Sequence, residues 1–321
     1  MKAIVATAYG APEVYTIEDR EKPTPKPDEV LIKVHAASIT PSDAAFRKGD
    51  PFIVKLIYGL NKPRHEIPGV EFAGIIEAVG DEVSNFKVGD EIFGMSPNTF
   101  GAHAEYVALP AKVPMANKPK SIKFEEIVGI LDGAATAMTF LRDVAKLQTG
   151  QTILINGASG AVGSYAVQLA KHFGAHVTGV CSGRNIELVQ SLGADRVIDY
   201  TQQDFTKMGD TYDVIFDAVG KSSYDKCEPA LAQNGIYMTT VPTLGIVWAL
   251  IKTSLFGSKS AKFTTAGLKQ NADSLTTLAE LAKDGVLKAV IDRCYPMEDI
   301  VEAHHYIDTE RKRGNVVLKI V

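Results

Sequence analysis

Three glycines at three-residue spacing, Gly157, Gly160 and Gly163, are the residues whose type and placement point most directly to chemistry. They follow an apolar β-branched run, Thr152-Ile153-Leu154-Ile155-Asn156. They precede Val162, Ala166, Leu169, Ala170 and Phe173, which recur at helical intervals. Gly174 stands where that helix would stop, and residues 176–181 read as a second strand. Strand, glycine turn, helix and strand make a βαβ unit with a phosphate-binding turn. A side chain in such a turn would hold the backbone away from a pyrophosphate. The N–H groups and dipole of the helix start would face the anion. An ordinary tight turn also uses glycine, but the flanking strand and helix favour a dinucleotide site.

Which dinucleotide binds is decided where the second strand ends. A carboxylate about 20 residues beyond the turn would accept both ribose hydroxyls and repel a 2′-phosphate. After Val180-Cys181 the chain offers Ser182, Gly183 and Arg184 instead, and an arginine fork suits a phosphate. NADP(H) is therefore expected ahead of NAD(H), the alternative for Arg184 being a solvated side chain that opens the next helix. Tyr200 ends a third strand over 196–200; it either walls the adenine ring or closes the strand with one wet face.

Behind these residues must stand elements that position them. At 321 residues the chain suits two domains, each with its own core. Hydrophobic content of 45% and charged content of 22% are those of a soluble globular protein. A net charge of −4 gives no basic field for nucleic acid. Cys181, Cys227 and Cys294 lie far apart, which speaks against a disulfide framework or a cysteine-rich zinc site. The start, Met1-Lys2-Ala3-Ile4-Val5, reads as a strand and not as a signal peptide, so a cytoplasmic protein is expected. Residues 244–256 are apolar but short and broken by Lys252, too little to span a bilayer. A buried or pocket-lining helix is expected there, then a dimer contact, with membrane contact last.

Alternating stretches at 2–8, 29–39, 71–79, 91–93 and 104–109 make the N-terminal part antiparallel β. The pattern turns helical around 120–145. Residues 213–217 and 235–239 read as the fourth and fifth strands of the βαβ region, with 261–265 a sixth. Leu275, Leu278, Leu281 and Ala282 mark another amphipathic helix, and 315–321 a closing strand. That strand pairs most easily with the N-terminal β domain, and the cleft between domains is then the expected site. The fold class is α/β: a doubly wound parallel sheet plus a mostly antiparallel β domain.

Some further side chains are candidates. Asp132, between Leu131 and Gly133-Ala134-Ala135, is either a proton donor with a raised pKa or the cap of the helix that follows. Residues 51–68 carry Phe52, Ile53, Leu56, Ile57 and Tyr58 beside Lys55, Lys62 and Arg64. They read as a lid over substrate with Tyr58 as proton donor, or as an apolar loop packed on the β domain. Asp43 and Arg47, one helical turn apart, are expected to form a local ion pair. His65 and His103 are too isolated to be ligands, and His304 and His305 are expected on a solvated helix face.

The chain resembles the medium-chain dehydrogenase/reductase superfamily, and within it the zinc-free quinone oxidoreductase-like branch, almost from end to end. The carriers are Ala37-Ser38-Ile39-Thr40-Pro41-Ser42-Asp43 with Arg47-Lys48-Gly49, and Pro68-Gly69-Val70-Glu71-Phe72-Ala73-Gly74. Val88-Gly89-Asp90-Glu91-Ile92-Phe93-Gly94, Ala104-Glu105-Tyr106-Val107, residues 156–163 and Phe216-Asp217-Ala218-Val219-Gly220 complete the set. The resemblance implies a Rossmann domain over 125–267, inserted in a GroES-like catalytic domain made of 1–124 and 268–321. Zinc enzymes of the superfamily carry cysteine where Thr40 stands, histidine at Val70 and cysteine near Asp132. The residues present here cannot make a tetrahedral thiolate and imidazole site, and the four-cysteine lobe of a structural zinc is missing. No metal is therefore expected. Without a Lewis acid, reduction of an already electrophilic quinone or α,β-unsaturated carbonyl is favoured over alcohol oxidation. Glu71 survives from the zinc pattern with its role open.

Carried over residue by residue, Gly157, Ala158, Gly160, Ala161, Val162 and Gly163 would lie at the pyrophosphate. Ser182, Arg184 and Tyr200 would hold the adenosine end. Thr136, Val219, Val241 and Pro242 would lie near the nicotinamide. Thr40 stands where quinone reductases often place an asparagine; it either contacts substrate or is a strand-end hydroxyl bonded to backbone. A homodimer is implied, with the 261–265 edges paired across a twofold. Two other readings stand beside this one: a metal-free alcohol or aldehyde oxidoreductase, and an NADPH-binding sensor or nucleic-acid-binding protein with little turnover.

Overall fold

Alternation over 29–39 puts Val30, Ile32 and Val34 on one face, and all three are fully buried. In the computed structural model, which describes residues 1–255 and 258–321, this stretch is one long strand. The N-terminal strands are β1 (Lys2–Ala6), β2 (Tyr15–Asp19), β3 (Glu29–Ile39), β4 (Glu71–Val79), β5 (Glu91–Met95), β6 (Tyr106–Pro110) and β7 (Met115–Asn117). The middle of the chain supplies β8 (Thr152–Asn156), β9 (His176–Cys181), β10 (Arg196–Asp199), β11 (Tyr212–Asp217), β12 (Leu231–Thr239) and β13 (Ser260–Lys262). β14 (Ile291–Pro296) and β15 (Asn315–Lys319) close it. Helices α1 (Pro41–Lys48), α2 (Phe52–Tyr58) and α3 (Phe124–Met138) precede the middle strands. α4 (Ala161–His172), α5 (Ile186–Ser191), α6 (Tyr224–Cys227) and α7 (Leu244–Leu255) lie among them. α8 (Ala272–Lys283) and α9 (Ile300–Asp308) follow.

The chain divides into two units, Met1–Leu131 with Gln270–Val321, and Asp132–Lys269. In the first, the sheet order is β14-β15-β3-β4-β5-β7, with β6 on β3 and a separate β1-β2 pair. β15 pairs antiparallel with β3, so the last strand of the chain completes the sheet begun at its start. Ile4, Phe72, Ile76, Ile92, Leu318 and Ile300 fill its core, each worth about 2 kcal/mol when fully buried. The second unit is a parallel sheet in the order β10-β9-β8-β11-β12-β13. Its order reverses at β8, whose neighbours are β9 and β11, and a ligand crevice belongs at the carboxyl ends of the strands there.

Several expectations are corrected. Residues 263–265 lie outside the sixth strand, which stops at Lys262. α7 is not a buried helix: Ile246 and Ala249 face the core, whereas Leu244, Val247, Trp248, Ile251 and Leu255 are exposed. Phe256, the end of that expected segment, lies outside the described residues. No helix among the described residues is long and apolar enough to cross a membrane. β2, β7 and β14 carried no clear alternation and were not foreseen.

Candidate functional site

The glycine turn joins β8 to α4. Gly157 has φ +82°, and a Cβ there would stand 2.4 Å from Val219 Cγ1. At Gly163 a Cβ would stand 2.1 Å from the Gly157 carbonyl oxygen, so the helix can lie this close to the turn only without a side chain. Gly160 is different: its φ is −83° and its nearest Cβ contact is 3.3 Å. The protein itself asks less of that glycine, the N-cap of α4, than of the other two. Gly157 N–H and Ala158 N–H both donate to the Val180 carbonyl at 3.0 Å, and Gly160 N–H donates to the Gly157 carbonyl at 2.9 Å. Those donors tie the turn to β9 and to itself. The N–H groups of Ala161, Val162 and Gly163 precede the first helical acceptor, since Ser164 N–H is the one that reaches Gly160 O. The N–H groups left over at this helix start are thus those of α4's first turn and not those of Gly157 or Ala158.

The rim of the turn holds a residue that sequence reasoning missed. Asn185, nine-tenths buried, donates from Nδ2 to Ser159 Oγ at 3.0 Å and to Ser182 Oγ at 3.3 Å. It fastens the glycine turn to the end of β9, and its Oδ1 is buried without a partner. The signal was its position three residues after Ser182, at a helix start where asparagine bonds locally. Arg184 is exposed beside it. β9 ends without a carboxylate, but β10 brings one: a Cβ on Gly183 would stand 2.7 Å from Asp199 Oδ2. Asp199 Oδ1 accepts from the Thr201 amide at 2.9 Å and hydroxyl at 2.8 Å. Burial first, and then Asp199, push the nearby Cys181 thiol up to about 11. Tyr200 follows with its ring well exposed.

The other strand ends meet the turn. Val219, after β11, packs on Gly157; Val241, after β12, packs on Gly220, whose φ is +65°. Both valines and Pro242 remain exposed. Fully buried Asp217 accepts from Asn156 Nδ2 at 3.0 Å, Ser222 N–H at 2.8 Å and Val219 N–H at 3.3 Å, which fixes this loop. Asp132 does not cap a helix; it lies in the interior of α3, which begins at Phe124. The apolar spacing of Ile127, Ile130 and Leu131 carries the helix straight through Gly133. Gly133 is tolerated because α4 comes close, a Cβ there standing 2.4 Å from the Ala161 carbonyl. Asp132 and Thr136, four residues apart and half-buried, share one face of this stretch.

In the first unit, Thr40 caps α1 in a capping box with Asp43. Its hydroxyl donates to Asp43 Oδ2 at 2.7 Å, and its N–H to the same oxygen at 2.8 Å. The hydroxyl hydrogen thus already has an acceptor. Asp43 is not the ion partner of Arg47. The Arg47 guanidinium, buried, reaches Asp308 from Nη2 at 2.7 and 2.9 Å and the Gly10 carbonyl from Nη1 at 2.8 Å. Capping takes up Asp43 Oδ2 with the Thr40 amide and hydroxyl. Tyr58 ends α2, a helix where the sequence suggested a loop, and its ring meets Phe46 and Phe100 edge-on at 4.6 and 5.3 Å. Partial burial raises its hydroxyl's pKa. A small aromatic pocket of Tyr9, Tyr15, Phe46, Tyr58, His65 and Phe100 surrounds it, and Thr40 is not in its lining. The Ser38 hydroxyl donates to buried Glu71, and His103 Nε2 meets the Ser38 carbonyl at 3.0 Å. His304 is fully buried, not solvated, because Ile300, Ala303, His304 and Ile307 share the inner face of α9. His305 does face outward, on Glu13.

Among the described residues no three His, Cys, Asp or Glu side chains are grouped to hold a metal ion. Val70 has no donor atom, and Thr40 is engaged by Asp43. The donor set does not fit zinc.

Comparison with known proteins places this architecture. A family model of the alcohol dehydrogenase GroES-like domain matches residues 26–120, and one described as zinc-binding dehydrogenase matches 192–318. A 2-methylene-furan-3-one reductase of Solanum lycopersicum is 33% identical, across 99% of this chain and 79% of the tomato protein. An Arabidopsis thaliana NADPH-dependent alkenal/one oxidoreductase matches at the same 33%, again across 99% of this chain and 79% of its own. The structure of a quinone oxidoreductase from Coxiella burnetii superposes with a TM-score of 0.90 at 28% identity, covering 100% of this chain and 99% of that one. The chain is an oxidoreductase of the medium-chain dehydrogenase/reductase superfamily, in its quinone oxidoreductase-like branch.

Proposed function

We propose that this protein is an NADPH-dependent, zinc-independent reductase of quinones or α,β-unsaturated carbonyl compounds. The observation that supports it most is the start of α4, where three N–H groups lie beyond the hydrogen bonds that hold the glycine turn. When bound, a nicotinamide coenzyme supplies hydride. In this reading Ala161, Val162 and Gly163 hold its pyrophosphate, while Gly157, Ala158 and Gly160 shape the turn. Ser182, Arg184 and Tyr200 take the adenosine end. Val219, Val241, Pro242 and Thr136 exclude water at the nicotinamide end. Reduction of an enone leaves a carbanion equivalent that needs one proton, and Tyr58 or Asp132 is the protein group to give it. Thr40 serves by fixing α1, and donates to a substrate only by releasing Asp43. A donor set unfit for zinc favours substrates that are electrophilic before they bind.

The relatives support this choice by name, as a 2-methylene-furan-3-one reductase and an NADPH-dependent alkenal/one oxidoreductase. A homodimer through the edge strand β13 and a cytoplasmic location belong to the same proposal. Asp199 beside Gly183 favours a second reading of the coenzyme alone, in which NADH competes well with NADPH. The test is oxidation of NADPH and of NADH against matched enone, quinone and saturated aldehyde substrates, with a metal assay of the same sample. Fast turnover of the aldehyde, or stoichiometric zinc, would replace this reading by a zinc-assisted or alcohol-type oxidoreductase. Tight NADPH binding with no turnover across the panel would make the protein a sensor.

A further inference from the structure

We propose that α2 and the loop after it form a docking surface for an anionic lipid bilayer. α2 has one anchored face, where Val54 is buried and Tyr58 packs on Phe46 and Phe100. Its other face is apolar and open. Phe52 is 65% exposed, Ile53, Leu56 and Ile57 are each more than half exposed, and Leu60 beyond the helix is 59% exposed. Residues 53, 56 and 57 follow helical spacing and make one strip on α2, and Leu60 follows in the loop after Gly59. Soluble surfaces scatter such residues singly; a contiguous strip marks a contact.

Charge chooses the occupant. Between Asp50 and Glu66 the chain contains Lys55, Lys62 and Arg64 and no acidic residue, within a protein of net charge −4. The sign of this segment is opposite to that of the molecule. At physiological salt charges are felt over about 8 Å, so the local cations and not the net charge meet an approaching surface. Exposed apolar side chains with lysine and arginine at their border are the composition that seats at a headgroup boundary. Glu66, at the end of the segment, pairs with Lys62 at 3.6 Å and with Arg20 at 3.3 Å, which leaves Lys55 and Arg64 in excess. On the exposed apolar strip of α7, by contrast, Lys252 faces two carboxylates, Asp225 and Glu228, both 3.3 Å away. With its cation neutralised, that strip suits a protein surface. The inference revises the expectation that no membrane is a partner, and it is independent of the reaction proposed above.

The experiment is co-sedimentation of the whole protein with vesicles of phosphatidylcholine alone or of phosphatidylcholine with phosphatidylserine. Binding to the phosphatidylserine vesicles is expected, weakening as salt rises and at least about tenfold stronger than to the neutral vesicles. Paired Ile53→Ser and Leu56→Ser substitutions should abolish it, and Lys62→Glu with Arg64→Glu should weaken it severalfold. Trp248→Ser in α7 should leave it unchanged. These side chains are exposed, and unaltered circular dichroism spectra establish that each variant is folded. No vesicle binding, equal binding to both vesicle types, or loss of binding with Trp248→Ser overturns the proposal. So does a fall in oligomer mass, by light scattering, for the Ile53 and Leu56 variant, since a second copy would then cover the strip.

Discussion

The carboxylate of Asp199 stands where a side chain at position 183 would begin: a Cβ on Gly183 would be 2.7 Å from Asp199 Oδ2. An anion thus lies beside the loop that offers Arg184, and the two side chains would act on a 2′-phosphate with opposite sign. Asp199→Asn keeps an oxygen for the Thr201 amide and hydroxyl while removing the charge. It should strengthen NADPH relative to NADH by roughly tenfold, or about 1.4 kcal/mol. Arg184→Ala should shift the ratio the other way. Titration of both coenzymes against the three proteins measures this. An unchanged ratio in both variants would remove the pair from coenzyme choice.

How far the sequence could go is visible at this same place. The strand, glycine turn and helix were legible because local spacing sets them. Gly163 proves to be required by the Gly157 carbonyl within the turn, whereas Gly157 is required by its positive φ and by Val219 from the loop after β11. Asp199 was read as part of a strand, because its nearness to Gly183 comes from β9 and β10 lying side by side, which spacing along one strand does not reveal. His304 was legible too: its interval from Ile300, Ala303 and Ile307 is the inner face of a helix, and that period outweighs the polarity of the imidazole. Arg47 pairs with a residue 261 positions away, so no local rule could have found Asp308.

The glycines of the turn separate what the fold needs from what a ligand needs. Gly163→Ala drives a methyl group onto the Gly157 carbonyl, and Gly157→Ala adds the strain of a positive φ to a clash with Val219. Both should lose about 2 kcal/mol or more in urea unfolding. Gly160→Ala meets ordinary backbone angles but brings a methyl group to 3.3 Å from the Gly157 carbonyl oxygen at the N-cap of α4, so it should cost about 1 kcal/mol, less than either of the other two. Its NADPH affinity should nevertheless fall at least about tenfold, because its methyl group would stand against the pyrophosphate. Retention of full affinity by Gly160→Ala would take the anion off this turn.

Proton delivery is open to a direct test at two residues. Tyr58→Phe keeps the edge-on contacts with Phe46 and Phe100 and loses only the hydroxyl. If that hydroxyl donates the proton, kcat should drop about 100-fold with KM little changed. Asp132→Asn should do the same if the carboxyl group is the donor. Thr40→Val serves as the contrast, since it breaks the capping box and should cost about 1 kcal/mol of stability. Steady-state rates with one enone decide among them; full activity in both Tyr58→Phe and Asp132→Asn would assign the proton to solvent.

Burial of His304 predicts a specific acid sensitivity. Its ring packs on Tyr15 at 4.7 Å, neither nitrogen has a hydrogen-bond partner, and burial pushes its pKa down to about 3. His103 and Arg47 add to the depression, and Asp308 opposes it. Above about pH 6.5 the imidazole is neutral in both folded and unfolded chains and contributes no slope. Below that value the unfolded chain takes up a proton that the folded one refuses, so stability falls as pH falls, until about pH 3. The slope approaches about 1.4 kcal/mol per pH unit, or roughly 2 kcal/mol between pH 8 and 5. His304→Leu removes the titrating group and two unpaired polar atoms while keeping an apolar side chain against Tyr15. Urea unfolding at pH 8 and pH 5 should then show a smaller loss in the variant by roughly 2 kcal/mol. Parallel losses in the two proteins would mean that His304 is protonated in the folded state, which would require a partner for its ring near Tyr15.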